Sequence, residues 1–95
     1  MIAPRKSDRR DFAVAATVEL LPERGVLCVG TDGASIGAAH DAAPVHLLGL
    51  GAGMVLIECL ANLGSLPPRG VWFCFLPLRV EGGTGAPGRA MALLP

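Results

Sequence analysis

Ninety-five residues leave room for one small domain, and eight basic against eight acidic side chains cancel to a net charge of zero. That balance excludes a general electrostatic nucleic-acid binder, which needs a strong basic excess. A chain that is 52% hydrophobic and 17% charged is too apolar for intrinsic disorder, and apolar enough that part of its surface calls for cover by more protein.

Residues 1–10 place Arg5, Lys6, Arg9 and Arg10 against Asp8 alone, a local balance of +3 that the remaining residues offset with −3. This basic lead-in has no apolar segment behind it and does not read as a secretory signal. Residues 11–24 predict a helix, with Phe12, Ala16, Val18, Leu20 and Leu21 on one face and Gly25 as its stop. Pro22 threatens to end it early. Residues 26–29 predict a short buried strand, closed by a turn at residues 30–33. A strand followed by a small polar turn is where α/β proteins tend to place ligands.

Residues 34–43 read as a loop, and 44–50 as a helix with Pro44 in its first turn and Gly51 at its end. Residues 54–57 predict a second strand with Glu58 at its carboxyl end. Residues 61–66 suit a short helical turn stopped by Pro67 and Pro68. A third strand spans 71–76, with Pro77 marking an edge and residues 78–80 a candidate continuation. A glycine-rich loop at 82–88 and a last strand at 89–94 complete an αβαββ order, a mixed α/β fold. The longest apolar run, residues 45–60, is too short for a membrane span and is broken by His46, Glu58 and glycines.

Cys28, Cys59 and Cys74 form neither a paired framework nor a metal ribbon, and read as small hydrophobes among apolar neighbours in a reducing, cytoplasmic setting. Gly49-Leu50-Gly51-Ala52-Gly53 lacks the spacing and the strand-before-helix context of a dinucleotide fingerprint. A helix-to-strand connection that needs close-packed or left-handed backbone accounts for it. Ser35, His40 and Asp41 supply the residue types of a hydrolytic triad but none of its context.

No Lys or Arg occurs between Arg24 and Arg69, a stretch that holds Asp32, Asp41, Glu58, His40 and His46. Acids and imidazoles without cationic neighbours suit a cation site, although a buried segment excludes charge for its own reasons. His46 on the helix and Glu58 at the end of the returning strand can meet on one cation. A satisfied, partly buried Glu and a core His explain the same two residues.

From residue 25 onward the chain resembles the carboxyl-terminal part of the cyclase family of metal-dependent hydrolases, the kynurenine formamidase-like (arylformamidase) group. The resemblance rests on Arg24-Gly25-Val26, Val29-Gly30-Thr31-Asp32, Val45-His46, Leu50-Gly51-Ala52-Gly53 and Leu56-Ile57-Glu58. It continues through Leu60-Ala61-Asn62-Leu63, Leu66-Pro67-Pro68-Arg69-Gly70, Leu76-Pro77-Leu78 and Gly82-Gly83-Thr84-Gly85-Ala86-Pro87. It implies a swivelling β/β/α domain over residues 12–95, after a divergent lead-in at 1–11. It also implies a divalent metal, zinc or manganese, with His46 and Glu58 as ligands, and hydrolysis of a small-molecule amide such as formylkynurenine. Asp32 and Ser35 match a pattern that shapes the loop near the site, and the family's usual homo-oligomer is expected.

The chain departs from the family in one respect above all. The His-rich metal motif that belongs upstream has no counterpart here, and Gly37 stands where relatives often carry an acid. The sequence therefore predicts an incomplete hydrolase, truncated and inactive alone, or a non-catalytic binding or assembly module of the same descent.

Overall fold

A computed structural model of the chain describes residues 2–3, 15–38 and 42–95. Residues 11–14 of the expected first helix, most of the basic lead-in, and His40 and Asp41 lie outside the described residues. Two compact units divide between Leu63 and Gly64.

The first unit is a βαβαβ arrangement: β1 (Ile2–Ala3), α1 (Ala15–Glu23), β2 (Cys28–Thr31), α2 (Ala43–Gly51) and β3 (Val55–Ile57). The strands form a parallel sheet in the order β1-β2-β3, with Ile2 opposite Gly30 and Cys28, Val29 and Gly30 opposite Val55, Leu56 and Ile57. β1 was not expected. Two residues carry no periodicity, and their pairing along the edge of β2 is a tertiary fact. Crossovers of one hand between sequential parallel strands bring their helices to one face, and α1 does pack on α2.

Between helices and sheet lie Val18, Leu21, Val29, Ile36, Val45 and Met54, all buried, with Val26, Leu48 and Leu56 packed against them. Complete burial of such side chains stabilises by roughly 1.5–3 kcal/mol each. Val29 and Leu56 are register partners and share the helix-facing side, so Cys28, Val55, Gly30 and Ile57 point to the other.

Both helices end with the same device. Gly25 has φ +76°, and Gly25 and Val26 donate their N–H groups to the carbonyls of Pro22 and Leu21. Gly53 has φ +75°, and Gly53 and Met54 donate to Leu50 and Gly49. These are Schellman caps, which need a left-handed residue and so favour glycine. Pro22 is accommodated in the last turn of α1 rather than ending it. The expected strand at 26–29 shifts to Cys28–Thr31 because Val26 is occupied in capping α1. Gly49 lies against Leu56, whose methyl carbons would stand 3.2 Å from an added Cβ, so the glycine cluster serves packing and capping.

A 3-10 turn (Leu63–Ser65) falls where the two units meet in sequence. The second unit is an antiparallel hairpin, β4 (Trp72–Pro77) with β5 (Gly88–Leu93), in which Trp72 faces Leu93 and Pro77 faces Gly88. Residues 78–80 do not continue as strand. They enter the glycine-rich connection, where Leu78 donates its N–H to the Pro87 carbonyl and Gly82 takes φ +67°. Trp72, Cys74, Leu76, Met91 and Leu93 share one exposed face. Cys59 and Cys74 are exposed and only Cys28 is half-buried, so the reading of all three as embedded hydrophobes is corrected. Among the described residues no helix is long and apolar enough to cross a membrane.

Candidate functional site

The carboxyl ends of β2 and β3 gather the residues of interest. Leu56 faces the helices, so alternation along β3 returns Glu58 to that side, and α2 runs opposite to β3 with His46 in its first turns. His46 Nε2 and Glu58 Oε1 lie 2.9 Å apart, each side chain about one-third exposed (33% and 32%). The two residues singled out in the sequence are in direct contact.

Each is held by a backbone group. His46 Nδ1 donates to the Ala42 carbonyl at 2.8 Å, the same oxygen that accepts the His46 backbone N–H. Glu58 Oε1 accepts the Ile36 N–H at 3.1 Å in addition to His46. Both ring nitrogens of His46 therefore face oxygen atoms, an arrangement that favours the doubly protonated imidazolium. The pKa of His46 is raised accordingly: the Ala42 carbonyl contributes most, the Glu58 hydrogen bond and its charge add to it, and partial burial opposes both.

Asp32 and Ser35 occupy the loop that follows β2. Gly33 donates its N–H to Thr31 Oγ1 and Gly37 donates to Ser35 Oγ, each at 3.1 Å. The loop is tied to the residues after β3, with Cys59 N–H on the Gly33 carbonyl and Leu60 N–H on the Thr31 carbonyl, at 2.9 and 3.0 Å. Cys59 and Asn62 adopt left-handed backbone, φ 58° and 61°, a conformation non-glycine residues hold at some cost. Asp32 Oδ1 is buried without a hydrogen-bond partner among the described residues. Sequence reasoning missed the Ile36 amide and the Ala42 carbonyl, since a backbone group carries no residue signature.

The donor set suits a divalent cation in part. A histidine whose far nitrogen is fixed by a carbonyl, beside a carboxylate, is a common ligand arrangement, and it accepts zinc or manganese alike. No third His, Cys, Asp or Glu joins the pair among the described residues. Asp32 thus belongs to the loop beside the pair and not to a shared ligand cluster. A separate groove of about 660 Å³ lies in the hairpin connection, lined by Leu78, Arg79, Glu81 and Thr84 among others. It contains none of the expected site residues.

No protein-family model matches the chain. It is 39% identical over 71 residues to an isatin hydrolase of Roseibium aggregatum, covering 75% of this chain and 27% of that protein. It is 37% identical over 76 residues to a kynurenine formamidase of Salinibacter ruber, covering 79% and 35%. A solved structure described as a potential metal-dependent hydrolase with cyclase activity superposes with a TM-score of 0.73 at 28% identity, over 83% of this chain and 39% of that one. The chain thus spans about a quarter to two-fifths of the proteins it matches. In sequence and in its mixed α/β fold it is similar to part of a cyclase-type metal-dependent hydrolase, in keeping with the carboxyl-terminal part expected from its residues.

Proposed function

We propose that residues 25–95 are the carboxyl-terminal part of a cyclase-family, metal-dependent amide hydrolase of the kynurenine formamidase and isatin hydrolase kind. In this reading His46 and Glu58 are two of its metal ligands. The contact of His46 Nε2 with Glu58 Oε1 at 2.9 Å carries the reading, because the matched region brings together one imidazole and one carboxylate with fixed orientations. Zinc or manganese held there would supply Lewis acidity for the attack of water on an amide carbonyl.

The chain's own residues contribute orientation. Ala42 fixes the imidazole through Nδ1, which turns Nε2 toward Glu58. The Ile36 N–H holds Glu58 Oε1. In the imidazolium form Nε2 carries a proton, which must leave before the nitrogen can bind a cation. Catalytic zinc takes three protein ligands, and the described residues offer two. A working site therefore needs a contribution from residues beyond this pair, and the pair alone is expected to be inactive.

The test is reconstitution. The chain is co-expressed with the amino-terminal segment of the Roseibium isatin hydrolase and assayed with zinc or manganese on isatin and on an N-formylarylamine. Hydrolysis that appears only with both polypeptides, and is lost in His46→Ala and Glu58→Ala, supports the reading. Hydrolysis indifferent to both substitutions contradicts it.

A second reading, a non-catalytic binding or assembly module, draws on the exposed hydrophobic side chains. Trp72 is 80% exposed, Leu93 69% and Leu47 75%. Stable self-association of a chain that binds no metal would favour it.

A further inference from the structure

The loop after β2 touches Glu58 directly and packs on Ala42, whose carbonyl holds His46, through three consecutive residues that do three different things. Ile36 sends its side chain into the core, where it is 4% exposed, and its N–H to Glu58 Oε1. Ser35 accepts the Gly37 N–H on its hydroxyl, a small turn that fixes the direction of the intervening Ile36 amide. Gly37 is packed so tightly on the start of α2 that an added Cβ would lie 2.6 Å from Ala42 Cα and 3.2 Å from the Ala42 carbonyl oxygen. That oxygen is the acceptor that holds His46 Nδ1. The loop's flanks are fixed in turn by the bonds from Cys59 and Leu60 to Gly33 and Thr31.

We infer that Ser35, Ile36 and Gly37 form a positioning clamp that sets the separation and orientation of His46 Nε2 and Glu58 Oε1. None of the three is a ligand. Ile36 anchors the clamp in the core and aims one donor at the carboxylate. Gly37 fixes the distance from the loop to the carbonyl that orients the imidazole, and its missing side chain is what permits the approach. Ser35 is the residue whose side chain holds the turn together. A displacement of this loop moves both partners, whereas substitutions elsewhere on α2 or β3 move one. Its consequence for cation binding rests on the ligand reading above; the clamp itself does not.

The experiment uses the isotopically labelled 95-residue chain with Ser35→Ala and Ser35→Thr variants. Two quantities are read: hydrogen exchange of the Ile36 amide without metal, and zinc affinity by calorimetry. Ser35→Ala is expected to speed Ile36 exchange by about tenfold while the amides of Val29 and Leu56 keep their protection. Zinc binding is expected to weaken by about tenfold, the usual lower range for loss of a group that orients a ligand. Ser35→Thr, which keeps the hydroxyl, should restore both to within about twofold. Unchanged Ile36 exchange in Ser35→Ala overturns the clamp, as does a uniform rise across all core amides. A wild-type chain that binds no zinc overturns the ligand reading, and the Ile36 amide still decides the clamp.

Discussion

The His46–Glu58 pair makes stability depend on pH in a defined direction. The folded-state pKa of His46 lies above the ordinary 6.5, first through the Ala42 carbonyl and then through Glu58. A raised cation pKa contributes stability that is fully present below about 6.5 and is lost as pH rises through the folded value. Two unit charges 2.9 Å apart attract by about 1.4 kcal/mol even at the dielectric constant of water. Both side chains are one-third exposed, so solvent screening and side-chain entropy reduce the net contribution to about 0.5–1 kcal/mol. Glu58→Gln keeps an acceptor for the Ile36 amide and removes the charge. Urea unfolding at pH 5.5 and 8.5 should show the wild type losing about 0.5–1 kcal/mol more than the variant between the two. NMR titration of the ring should show the pKa of His46 falling part of the way toward its ordinary value in the variant. A wild-type pKa at or below 6.5, or one unmoved by Glu58→Gln, would refute the geometry argued here.

Three further outcomes follow from packing and exposure. Val18, 1% exposed at the contact of α1 with the core, should cost about 2–3 kcal/mol when cut to Ala, by denaturant midpoint; a cost below about 0.5 kcal/mol would contradict that core. Gly53→Ala meets open space but must hold φ +75°, and should destabilise by about 1–2 kcal/mol through backbone strain alone; a neutral result would mean α2 ends otherwise. Trp72, the single tryptophan and 80% exposed, should emit as a water-exposed indole and be readily quenched by acrylamide. A blue-shifted, protected emission would mean that another protein surface covers the hairpin.

Much of the architecture was legible because it rests on patterns that local sequence carries. Pro44 at the first turn of α2, the apolar run of β3 and the aromatic run of β4 each specify their element without outside help. Errors arose where tertiary contacts decide. β1 exists only because β2 offers an edge. The start of β2 moves because Val26 caps α1, and α2 runs through Gly51 while the left-handed residue that caps it is Gly53, two positions later. Cys59 and Cys74 lie among apolar neighbours in sequence, yet a strand face and a left-handed turn expose them.

The candidate site divides in the same way. His46 and Glu58 were visible as an imidazole and a carboxylate on opposite arms of a helix–strand reversal, in a stretch without cations. Their orienting partners were not, because the Ala42 carbonyl and the Ile36 amide are common to every residue type. Of the clamp, Ser35 was visible through the resemblance as a residue that shapes the loop, whereas Gly37 stood out only as a departure from relatives, its close approach to Ala42 being a tertiary contact.

The central claim is that His46 and Glu58 bind one divalent cation. The direct measurement is zinc and manganese titration of the purified wild-type chain by calorimetry at pH 6 and pH 8, beside His46→Ala and Glu58→Ala, with folding checked by circular dichroism. The account predicts binding by the wild type that strengthens at the higher pH, as the proton leaves Nε2, and disappears in both variants. A folded wild type that binds neither metal, or variants that bind as well as it does, would contradict the claim.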